Sequence, residues 1–556
     1  MKLANVRRAL HVTLVLVTKI ILPGLLPWRR SRIDWPVRWR EALETLGGAW
    51  TKLGQALALR FDLLPPAYCY ELFKLLNQMR PFPIAEVRRI LREELKAEPE
   101  RLFREFDERP FAAASIGQVH RAVLRGGERV AVKVQRPRIR QLMHADIHLM
   151  KRMAGALDFS GLLGATRAGD VIEEFARWTR EELDFRNEAR SALRLAQNAE
   201  GDPNELNARV FREYSTERVL TTAFLDGIPL VEIVSRLRAK DEAYLGKLRA
   251  DGHDLRRIAT HICWNTLNQV YAQGFFHADL HPANLFVLPR DRIGYVDFGI
   301  TGRLTPRVRD SLGYYARHLF EGDTERATLE LMQWMRPSAL TDIDAARKAV
   351  AGVMDEFLAS LGDPHASPEK SVGNVLELEV MAIIRDQQMS LAPEMVTYLK
   401  AVSTLTSVIY ELAPDFDLAG EERRFFGRMI SDESRAWLDP HHLVRAVYDL
   451  SFRAQRALDL MDELGGAGED ISRLGTEVRR RIQWLGVFAV AASGLFIALV
   501  ALPQIPVPVA MHRTTALIIL GAVLVLLIGL VVHQARRLPR HGERPRRGRE
   551  ALRRRY

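Results

Sequence analysis

The stretch from Gly274 to Gly302, GFFHADLHPANLFVLPRDRIGYVDFGITG, carries the side chains best suited to chemistry. Asp279 is followed five residues later by Asn284, and an Asp-Phe-Gly triplet begins at Asp297. In this order one carboxylate can align or accept a proton, while the amide and the second carboxylate can hold Mg²⁺ against nucleotide phosphates. We therefore predict half of a phosphoryl-transfer site, in which Asp279 is catalytic and Asn284 and Asp297 bind the metal.

Such a site also needs a cation for the nucleotide phosphates, and Lys133 is the candidate. It lies in the apolar run Arg129–Val134, which a Gly126-Gly127 turn joins to an earlier strand. Strand, turn and strand with one charged residue in an apolar run predict a hairpin that covers a nucleotide. A buried lysine is costly unless a carboxylate pairs with it. An edge-strand lysine that reaches water would give the same local pattern.

Carboxylates for Lys133 occur in the continuous helical pattern from Asp170 to Gln197. Within it, Asp184 and Glu188 lie four residues apart, where like charges on one helix face repel by roughly 0.2–0.5 kcal/mol unless each faces a cation or a metal. Glu182 lies six residues before Glu188, so on a helix the two side chains point in directions about a third of a circle apart around the axis. Distinct partners are therefore expected for Glu182 and Glu188, and a solvated acidic face is the alternative.

The pattern from Arg40 to Arg60 predicts one helix, because apolar residues recur three or four positions apart. It contains the tetrapeptide Lys-Leu-Gly-Gln, which begins at Lys52. A glycine inside a helix costs about 1 kcal/mol relative to alanine, so Gly54 indicates a close approach to another element. An exposed lysine and a tolerated glycine would fit equally. Further helices are predicted at Tyr68–Gln78 and Ile84–Leu95.

The segments around the opening stretch predict a two-lobed arrangement. Arg218–Gly227 reads as a strand that ends in a turn, where a hinge between lobes is expected. A helix from Leu255 to Gln273 then leads into the motif, and beyond Gly302 the pattern is helical to about residue 475.

Length and composition place the chain among folded proteins of several domains. Its 556 residues exceed one ordinary core, and 47% apolar and 27% charged residues are typical of globular chains. Much of the net charge of +11 lies in the last 24 residues, which hold ten arginines and two glutamates. The basic character is therefore that of a tail, and no nucleic-acid partner is predicted. Cys69 and Cys263 are predicted to be buried free thiols, which fits a reducing compartment.

Two uncharged runs near the C-terminus predict a membrane anchor. Residues 482–502 and 514–532 comprise 21 and 19 residues, close to the ~20 that a helix needs to cross the hydrocarbon core. Arginines precede the first run and follow the second, so both ends are expected on the cytoplasmic side. Two buried core helices are the alternative. The apolar N-terminal segment is interrupted by Lys19 and by Pro23-Gly24 and predicts an interfacial helix, with a signal peptide or a third membrane span as the alternatives.

Taken together, these motifs resemble the UbiB/ADCK group of atypical protein-kinase-like proteins, also called the aarF-domain family. The resemblance spans roughly residues 40–310 and is carried by KLGQ with LRFDLLPP, AAASIGQVHRA, VAVKVQRP, EELDFRNEA, HADLHPANL and DFGITGRL. The first two segments and the ELD triplet are absent from ordinary protein kinases. The C-terminal hairpin also resembles that of bacterial members. The resemblance therefore implies an α+β, two-lobed protein-kinase-like fold with an N-terminal helical extension and a C-terminal transmembrane helical hairpin.

The resemblance also assigns roles to residues. Glu188 matches the glutamate that pairs with Lys133, and both belong to the nucleotide site. Four residues match the KxGQ and ExD elements that cover the pocket, namely Lys52 and Gln55, and Glu182 and Asp184. The place of a glycine-rich phosphate loop is taken by Ala112, Ala113, Ala114 and Ser115. Alanine restricts φ, and in this family the loop is associated with altered nucleotide preference and little phosphorylation of other proteins.

Some positions depart from the kinase pattern. Ala283 stands where many relatives have glycine, Ala278 stands where ordinary kinases have the arginine of His-Arg-Asp, and no clear Ala-Pro-Glu motif follows. We therefore expect no activation loop switched by phosphorylation. His277 and His281 flank Asp279, but without a third ligand at useful spacing they are interpreted as structural or hydrogen-bonding residues. A metal site, or a proton relay through His281, is the alternative.

The expected organisation follows the chain in six parts: an apolar N-terminal segment, interfacial, at 1–30; the helical KxGQ extension at 31–106; the N-lobe at 107–226; the helical C-lobe at 227–475; the two transmembrane helices within 476–535; and the basic tail at 536–556. The tail is interpreted as an unstructured topogenic segment. Binding of anionic lipid headgroups is the alternative.

The resemblance implies a membrane-anchored, ATP- or ADP-binding and Mg²⁺-dependent kinase-like phosphotransferase or ATPase that supports ubiquinone biosynthesis. The implied location is a bacterial inner membrane, with the kinase-like domain on the cytoplasmic side. Implied partners are the lipid bilayer, polyprenylated quinone precursors and quinone-pathway enzymes. A catalytically weak, nucleotide-dependent scaffold for those enzymes and a small-molecule phosphotransferase are the alternatives. The intact set of site residues favours an enzyme, because nucleotide binding alone would not need Asp279.

Overall fold

A computed structural model of the protein describes residues 2–24, 34–58, 60, 63–75, 81–160, 168–338, 340–361 and 379–437. The chain divides into two units, Met1–Phe426 and Gly427–Tyr556. The predicted spans at 482–502 and 514–532 and the basic tail lie outside the described residues. Within the described ranges, no helix is long and apolar enough to cross a membrane.

The described residues form helices and short strands in an α+β arrangement. The helices are α1 (Lys2–Leu16), α2 (Trp35–Leu46), α3 (Ala49–Leu57), α4 (Pro66–Leu72), α5 (Ile84–Leu95), α6 (Pro99–Leu102), α7 (Ile139–Ser160), α8 (Ala168–Glu182), α9 (Phe185–Asn198), α10 (Leu230–Arg238), α11 (Glu242–Ala250), α12 (Leu255–Leu267), α13 (Pro306–Glu321), α14 (Thr324–Met332), α15 (Ile343–Leu361), α16 (Met381–Asp386), α17 (Pro393–Leu412) and α18 (Leu418–Trp437). The strands are β1 (Phe103–Phe106), β2 (Ala112–Ala113), β3 (Gly117–Leu124), β4 (Arg129–Gln135), β5 (Glu205–Asn207), β6 (Val219–Ala223), β7 (Ile228–Pro229), β8 (Phe275–His277), β9 (Leu285–Val287), β10 (Ile293–Tyr295), β11 (Thr301–Arg303), β12 (Met335–Arg336) and β13 (Ser390–Leu391). Shorter helical turns lie at Val17–Ile21, Leu22–Gly24, Arg212–Tyr214, Asn268–Gln273, Pro282–Asn284 and Pro289–Asp291.

The N-lobe is built on an antiparallel sheet with the strand order β1-β3-β4-β6, in which β2 also pairs with β3. On β4, Val130, Val132 and Val134 are fully buried, whereas Lys133 pairs in register with residues of both neighbouring strands. Alternate residues of a strand point to opposite faces of the sheet. The sheet therefore keeps Lys133 on the face opposite the valine core.

Helix α5 covers the valine face of this sheet. Its Val87, Ile90 and Leu91 are buried in one cluster with the valines of β4. The helix predicted at Ile84–Leu95 is confirmed with those bounds. Strand β1, which begins at Phe103, joins the same sheet, so the sheet takes in residues just ahead of the expected N-lobe start at 107.

The prediction of one helix from Arg40 to Arg60 is wrong, because α2 and α3 occupy this segment. They are separated at Gly47 and Gly48, whose φ angles are 61° and 57°. Glycine reaches positive φ without a steric penalty, so the Gly-Gly pair ends α2 and turns the chain into α3. Helix α4 ends at Leu72, and the rest of the helix predicted to Gln78 falls partly on residues 76–80, which lie outside the described ranges.

The prediction of one continuous helix from Asp170 to Gln197 is also wrong, because α8 ends at Glu182 and α9 begins at Phe185. Asp184 is the N-cap of α9, and its side chain accepts a hydrogen bond from the Arg186 amide. An acceptor at this position satisfies a free amide of the first helical turn, which explains the break. Asp184 and Glu188 therefore do not share the face of one helix.

The C-lobe places the Gly274–Gly302 stretch on paired strands. One sheet has the order β5-β10-β9-β7, and β8 pairs with β11. The helix predicted from Leu255 to Gln273 is confirmed as α12 with a π-helical extension, and it ends at Gly274, where φ is 64°. Helices continue beyond the motif to Trp437, with the β12–β13 ribbon between them. The helical pattern predicted from there to 475 lies outside the described residues.

Strands β8 and β11 approach each other closely because one of the paired residues is a glycine. Gly302 lies opposite Phe276, and a Cβ atom on Gly302 would come within 2.0 Å of Phe276 Cζ. No larger residue fits without moving the ring. The pair therefore ties the strand that leads into Asp279 to the strand that follows Asp297.

Helix α1 is fixed to the rest of the unit by an arginine. Arg8 donates hydrogen bonds to both carboxylate oxygens of the fully buried Asp146, at 2.7 and 2.9 Å. Val12 is buried, whereas Leu10 and Leu14 are exposed. The N-terminal segment therefore has one packed face and one exposed apolar face, and its interfacial role stays a prediction.

Candidate active site

Lys133 lies between two carboxylates that come from different parts of the chain. Its Nζ atom donates to Glu188 Oε1 at 2.8 Å and Oε2 at 2.9 Å, and to Asp297 Oδ1 at 3.1 Å. The Lys133 side chain is 13% exposed and that of Asp297 is 47% exposed, while Glu188 is buried. The lysine thus joins α9 to the Asp-Phe-Gly segment, and Asp297 remains accessible to a ligand.

Burial and pairing act on these charges in opposite directions. Burial would lower the pKa of Lys133, but the Asp297 and Glu188 carboxylates outweigh burial and raise that pKa above its usual value. Burial raises the pKa of Glu188 to about 7, although Lys133 opposes this change. Burial would also raise the pKa of Asp297, but Lys133 lowers it to about 2. At neutral pH, Lys133 is therefore a cation and Asp297 an anion.

Asp279 and Asn284 are held together in the loop between β8 and β9. Asn284 Nδ2 donates to the Asp279 main-chain oxygen at 3.0 Å and to Asp279 Oδ2 at 3.3 Å. This arrangement leaves Asn284 Oδ1 and the accessible Asp297 carboxylate as hard oxygen ligands, the type that Mg²⁺ prefers. Among the described residues, no three His, Cys, Asp or Glu side chains gather into a metal site. A Mg²⁺ ion held by these two residues would complete its shell with phosphate and water oxygens.

His277 supports this loop from within the protein. Its Nε2 atom hydrogen-bonds the Val296 carbonyl at 3.1 Å, and its Nδ1 atom accepts the Asp279 amide at 3.1 Å. Burial lowers the pKa of His277, so the ring is neutral, with one donor and one acceptor nitrogen. The His277 amide in turn donates to Gln269 Oε1 at 2.9 Å. His277 therefore has a structural role here, and His281 caps the 3₁₀ turn that follows.

Asp297 adopts an uncommon backbone conformation, with φ at 57°. Such a conformation is costly for a residue other than glycine and persists only where the surroundings hold it. Here the next residue, Phe298, is buried, and its ring lies 5.6 Å from the His277 ring, measured between centroids. The buried phenylalanine and the β8–β11 pairing therefore hold Asp297 in the conformation that reaches Lys133.

The alanine-rich segment is tied into the N-lobe sheet. Ala112 and Ala113 form β2, and the Ala114 amide donates to the Gly117 carbonyl at 2.8 Å. Arg136 Nε donates to the Ala114 carbonyl at 3.0 Å. These backbone groups already have partners, so they differ from the free amides with which a glycine-rich loop surrounds phosphates. Ser115 is half-buried at the end of this segment.

The KxGQ residues meet the end of α8. Lys52 forms an ion pair with Glu182, and Gln55 Nε2 lies 3.4 Å from the Leu75 carbonyl, to which it donates. A Cβ atom on Gly54 would come within 2.4 Å of Leu75 Cδ1. The close approach predicted from this glycine is therefore confirmed. The structure brings the KxGQ segment and the first residue of the ExD element together.

The second carboxylate of the ExD element has a different partner. Asp184 pairs with Arg186 at 2.7 Å, and this interaction lowers the pKa of Asp184. Glu182 faces Lys52 and Glu188 faces Lys133. The expectation of distinct partners for Glu182 and Glu188 is thus confirmed, although a break between two helices separates them.

Sequence reasoning missed Lys400. Its Nζ atom lies 3.1 Å from Asp279 Oδ1, and the two side chains are 13% and 31% exposed. The available signal is that Lys400 is the only charged residue between Glu394 and Glu411 in an otherwise uncharged helical run. A lysine that is largely buried in such a run needs a carboxylate partner. The sequence does not show which carboxylate that is.

Comparisons with known proteins place this site in a family. Residues 74–331 match the family model described as the ABC1 atypical kinase-like domain. The chain is 29% identical over 448 residues to Protein ACTIVITY OF BC1 COMPLEX KINASE 7, chloroplastic, of Arabidopsis thaliana, covering 78% of this chain and 61% of that protein. It is 36% identical over 276 residues to the uncharacterized protein slr1919 of Synechocystis sp., covering 49% of this chain and 46% of that protein.

A third relative is the uncharacterized protein sll1770 of Synechocystis sp., with 29% identity over 82% of this chain and 72% of that protein. A solved structure described as the complex structure of Rv3197-erythromycin from Mycobacterium tuberculosis has 25% identity and a TM-score of 0.46, covering 66% of this chain and 89% of that one. The chain thus spans less than two thirds of the first two relatives. Residues 74–331 are therefore an ABC1 atypical kinase-like domain, the domain of the UbiB/ADCK family that the sequence motifs resemble.

Proposed function

We propose that the protein is a membrane-anchored, Mg²⁺- and nucleotide-dependent phosphotransferase or ATPase of the kinase-like class that supports ubiquinone biosynthesis. The observation that carries the catalytic part is the position of Lys133 between Glu188 and Asp297. On the neighbouring loop, Asp279 and Asn284 are hydrogen-bonded to each other. A cation, two candidate metal ligands and a candidate base are the parts that phosphoryl transfer requires.

Each residue has a role in this proposal. Lys133 holds the α and β phosphates of ATP or ADP, and Glu188 orients the Lys133 ammonium. Asn284 and Asp297 bind Mg²⁺, which neutralises phosphate charge when it is present. Asp279 aligns the attacking hydroxyl or water and accepts its proton.

The quinone part of the proposal is supported by the family relationship and by the uncharged runs at 482–502 and 514–532. Polyprenylated quinone precursors are confined to the bilayer, so an enzyme that acts on them or on their carriers benefits from a membrane anchor. In this proposal the kinase-like domain faces the cytoplasm of a bacterial cell at its inner membrane. Its partners are the bilayer, polyprenylated precursors and quinone-pathway enzymes.

Two substitutions test the catalytic roles separately. Asp297→Asn removes a metal ligand and one of the two carboxylate partners of Lys133, so we expect loss of Mg²⁺-dependent nucleotide binding. Asp279→Asn leaves the phosphate and metal contacts in place, so binding should stay within about threefold while ATP turnover falls by ~100-fold or more. Nucleotide affinity is measured with a fluorescent ATP analogue and turnover by phosphate release, both on full-length protein in lipid.

Asp344→Asn is the matched control, because Asp344 is an exposed aspartate on α15, away from the motifs. It should leave both affinity and turnover unchanged. Equal ATP turnover by wild type and Asp279→Asn would contradict the assigned site. ATP turnover that depends on Asp279 would distinguish this proposal from a nucleotide-dependent scaffold, which has no need of Asp279.

The quinone role is tested in the host organism. Deleting the gene should lower the ubiquinone pool and cause polyprenylated intermediates to accumulate. Expression of the wild-type protein should restore the pool. Asp279→Asn protein should fail to do so if turnover is required. Unchanged quinone pools after deletion would remove the pathway assignment and leave the nucleotide site intact.

A further inference from the structure

Lys400 brings a second cation to the site from outside the matched family domain. It lies on α17, well beyond residue 331, where that domain ends. Its Nζ atom is 3.1 Å from Asp279 Oδ1, and the lysine side chain is only 13% exposed. A mostly buried ammonium beside the candidate catalytic carboxylate therefore needs an explanation that the motifs do not give.

The loop that carries Asp279 supplies no fixed cation of its own. Between Asp279 and Asn284 the chain reads Leu-His-Pro-Ala, and His281 is the one titratable residue there. Lys133 is already engaged by Glu188 and Asp297. A phosphoryl group approaching Asp279 would therefore meet a carboxylate with no cation from the loop to offset its charge.

Both oxygens of the Asp279 carboxylate have partners. Oδ1 is paired with Lys400 at 3.1 Å, and Oδ2 accepts from Asn284 Nδ2 at 3.3 Å. The carboxylate is still 31% exposed, so a substrate can reach it. The Lys400 ammonium thus lies on one side of the reacting carboxylate, and the candidate metal ligand lies on the other.

The helix that carries Lys400 is held firmly against the elements of the site. Helix α17 packs against α12, which leads into β8, and against β11, which follows the Asp-Phe-Gly segment. On α17, the Tyr398 hydroxyl hydrogen-bonds the Tyr271 hydroxyl at 2.7 Å. Tyr398 and Ala401, which flank Lys400, are buried. The position of the ammonium is therefore set by the packing of the C-lobe.

We propose that Lys400 is a catalytic residue that contacts the terminal phosphoryl group during transfer. An ammonium is a compact charge with three donor hydrogens, so it can bind a phosphoryl oxygen while it keeps its contact with Asp279. Negative charge spreads over the equatorial oxygens of the transferred group in the transition state. Lys400 neutralises that charge from the Asp279 side, whereas Lys133 serves the α and β phosphates. This inference rests on the proposed function.

The step balances without any further reagent. The oxygen of a hydroxyl or of water forms a bond to the γ-phosphorus, and the bond from that phosphorus to the β,γ-bridging oxygen breaks. The electron pair leaves with ADP. Asp279 takes the proton of the attacking oxygen, and Lys400 forms and breaks no covalent bond.

The first test compares Lys400→Met and Lys400→Arg in the full-length protein. Lys400→Met should lower kcat for ATP by ~100- to 1,000-fold, the usual loss for one donor that acts in the transition state. ATP affinity should change by less than about threefold. Lys400→Arg should recover part of kcat, because the guanidinium keeps the positive charge but spreads it over a larger, planar group. Lys348→Met is the matched control, because Lys348 is exposed on α15, and it should change neither value.

The second test separates contact with the phosphoryl group from a purely structural role. ADP with aluminium tetrafluoride mimics the planar transferring group. Lys400→Met should weaken binding of this complex by ~100-fold while the affinity for ADP alone is kept. If Lys400 only supports the loop, ADP and the ADP–aluminium fluoride complex will lose affinity equally. Unchanged kcat and unchanged binding of the complex would also overturn the proposal.

A failure of the proposed function gives a result that differs from a failure of the Lys400 proposal. Wild-type protein that binds ATP but shows no Asp279-dependent turnover would overturn the catalytic assignment. Lys400 would then be judged by the ratio of the affinities for the ADP–aluminium fluoride complex and for ADP alone, which Lys400→Met should still lower by ~10-fold or more if the ammonium contacts the group in the position of the terminal phosphate. An unchanged ratio would show that it does not.

Discussion

At the scale of single residues, the site is a balance between buried charges and their partners. Lys133 is stabilised as a cation by Asp297 and Glu188, and it keeps Asp297 ionised in return. Removing one partner of such a group leaves an uncompensated buried charge, which costs several kcal/mol, on the order of 3–5. Substitutions at Lys133 or Glu188 therefore mix effects on stability with effects on nucleotide binding. Lys400→Met leaves behind only the Asp279 carboxylate, which is 31% exposed, so Lys400 is a better target for kinetic tests.

A second buried carboxylate lies away from the nucleotide site. Glu422 on α18 lines a narrow cavity with Tyr271, Tyr315 and Tyr398. Its Oε2 atom has no hydrogen-bond partner among the described residues. Burial raises the pKa of Glu422 to about 8. The carboxyl group is therefore mostly protonated in the folded protein at neutral pH.

This carboxyl group predicts a pH-dependent stability. The folded pKa of about 8 lies above the reference value of 4.5, so the contribution of Glu422 is fully present below about pH 4.5 and is lost as the pH rises through 8. Glu422→Gln carries no charge to bury, so it should gain on the order of 5 kcal/mol over wild type at pH 9. At pH 5 the two proteins should differ little.

The measurement is the melting temperature of both proteins at pH 5 and pH 9. Glu356→Gln serves as the control, because Glu356 is an exposed glutamate on α15. That control should follow wild type at both pH values. A Glu422→Gln protein that loses as much stability as wild type between pH 5 and pH 9 would contradict the assignment.

At this scale, motif residues could be predicted from the sequence and Lys400 could not. Lys133, Asp279, Asn284 and Asp297 belong to local patterns whose order and spacing are typical of phosphoryl-transfer sites. Lys400 lies in a helix whose apolar pattern predicts only that the lysine is largely buried. Its carboxylate partner is fixed by tertiary packing between distant segments, which one sequence does not reveal.

At the scale of elements, α3 and α8 are joined by a contact that we predict to limit access to the nucleotide pocket. The Lys52–Glu182 ion pair connects these helices. We predict that Lys52→Ala loosens the KxGQ segment and raises autophosphorylation several-fold, because a segment that shields the pocket would then open more often. Incorporation of radiolabelled phosphate from ATP measures the effect.

The control for this prediction is Lys74→Ala. Lys74 is an exposed lysine near the same segment, and it pairs with Glu71. Its replacement should leave autophosphorylation at the wild-type level. An unchanged signal in Lys52→Ala would exclude a gating role for the KxGQ segment.

The ends of a helix could be predicted where its apolar periodicity was regular. They were harder to predict where a capping residue or a turn interrupted a periodic segment. The bounds of α5 followed from its pattern and from the prolines before it. Gly47-Gly48 and Asp184 interrupt patterns that otherwise continue across them, and both are residue types that favour helix ends. Periodicity outweighed these signals in the sequence analysis, which is why two predicted helices were too long.

At the scale of the whole molecule, the proposed anchor gives a test of membrane attachment. Deleting residues 476–556 should release the protein from liposomes in a flotation assay at high salt. Deleting only residues 536–556 should leave it attached, because salt screens the attraction between arginines and lipid headgroups but does not extract a spanning helix. A protein that floats without 476–556 would place the attachment elsewhere, with the exposed face of α1 as the next candidate.

The network of charged contacts around the candidate site extends beyond the matched domain. Residues 74–331 contain Lys133, Asp279, Asn284 and Asp297, but Lys52 and Lys400 lie outside this range and contact residues within it. The sequence predicted two lobes and the α+β class, because motif order reflects the kinase arrangement. The way in which the flanking helices close on that core follows from packing and could not be predicted.

The Arg8–Asp146 ion pair has a consequence for synthesis of the chain. The two residues are separated by 138 positions, so at about 5–20 residues per second the ribosome needs on the order of 10 s to supply the second after the first. During that time α1 has neither its buried carboxylate nor the helix that carries it. Helix α1 can meet α2 earlier, because Arg8 also donates to the Leu46 carbonyl. Pairing of Arg8 with a carboxylate, and with it the completed docking of this helix, must follow the emergence of α7.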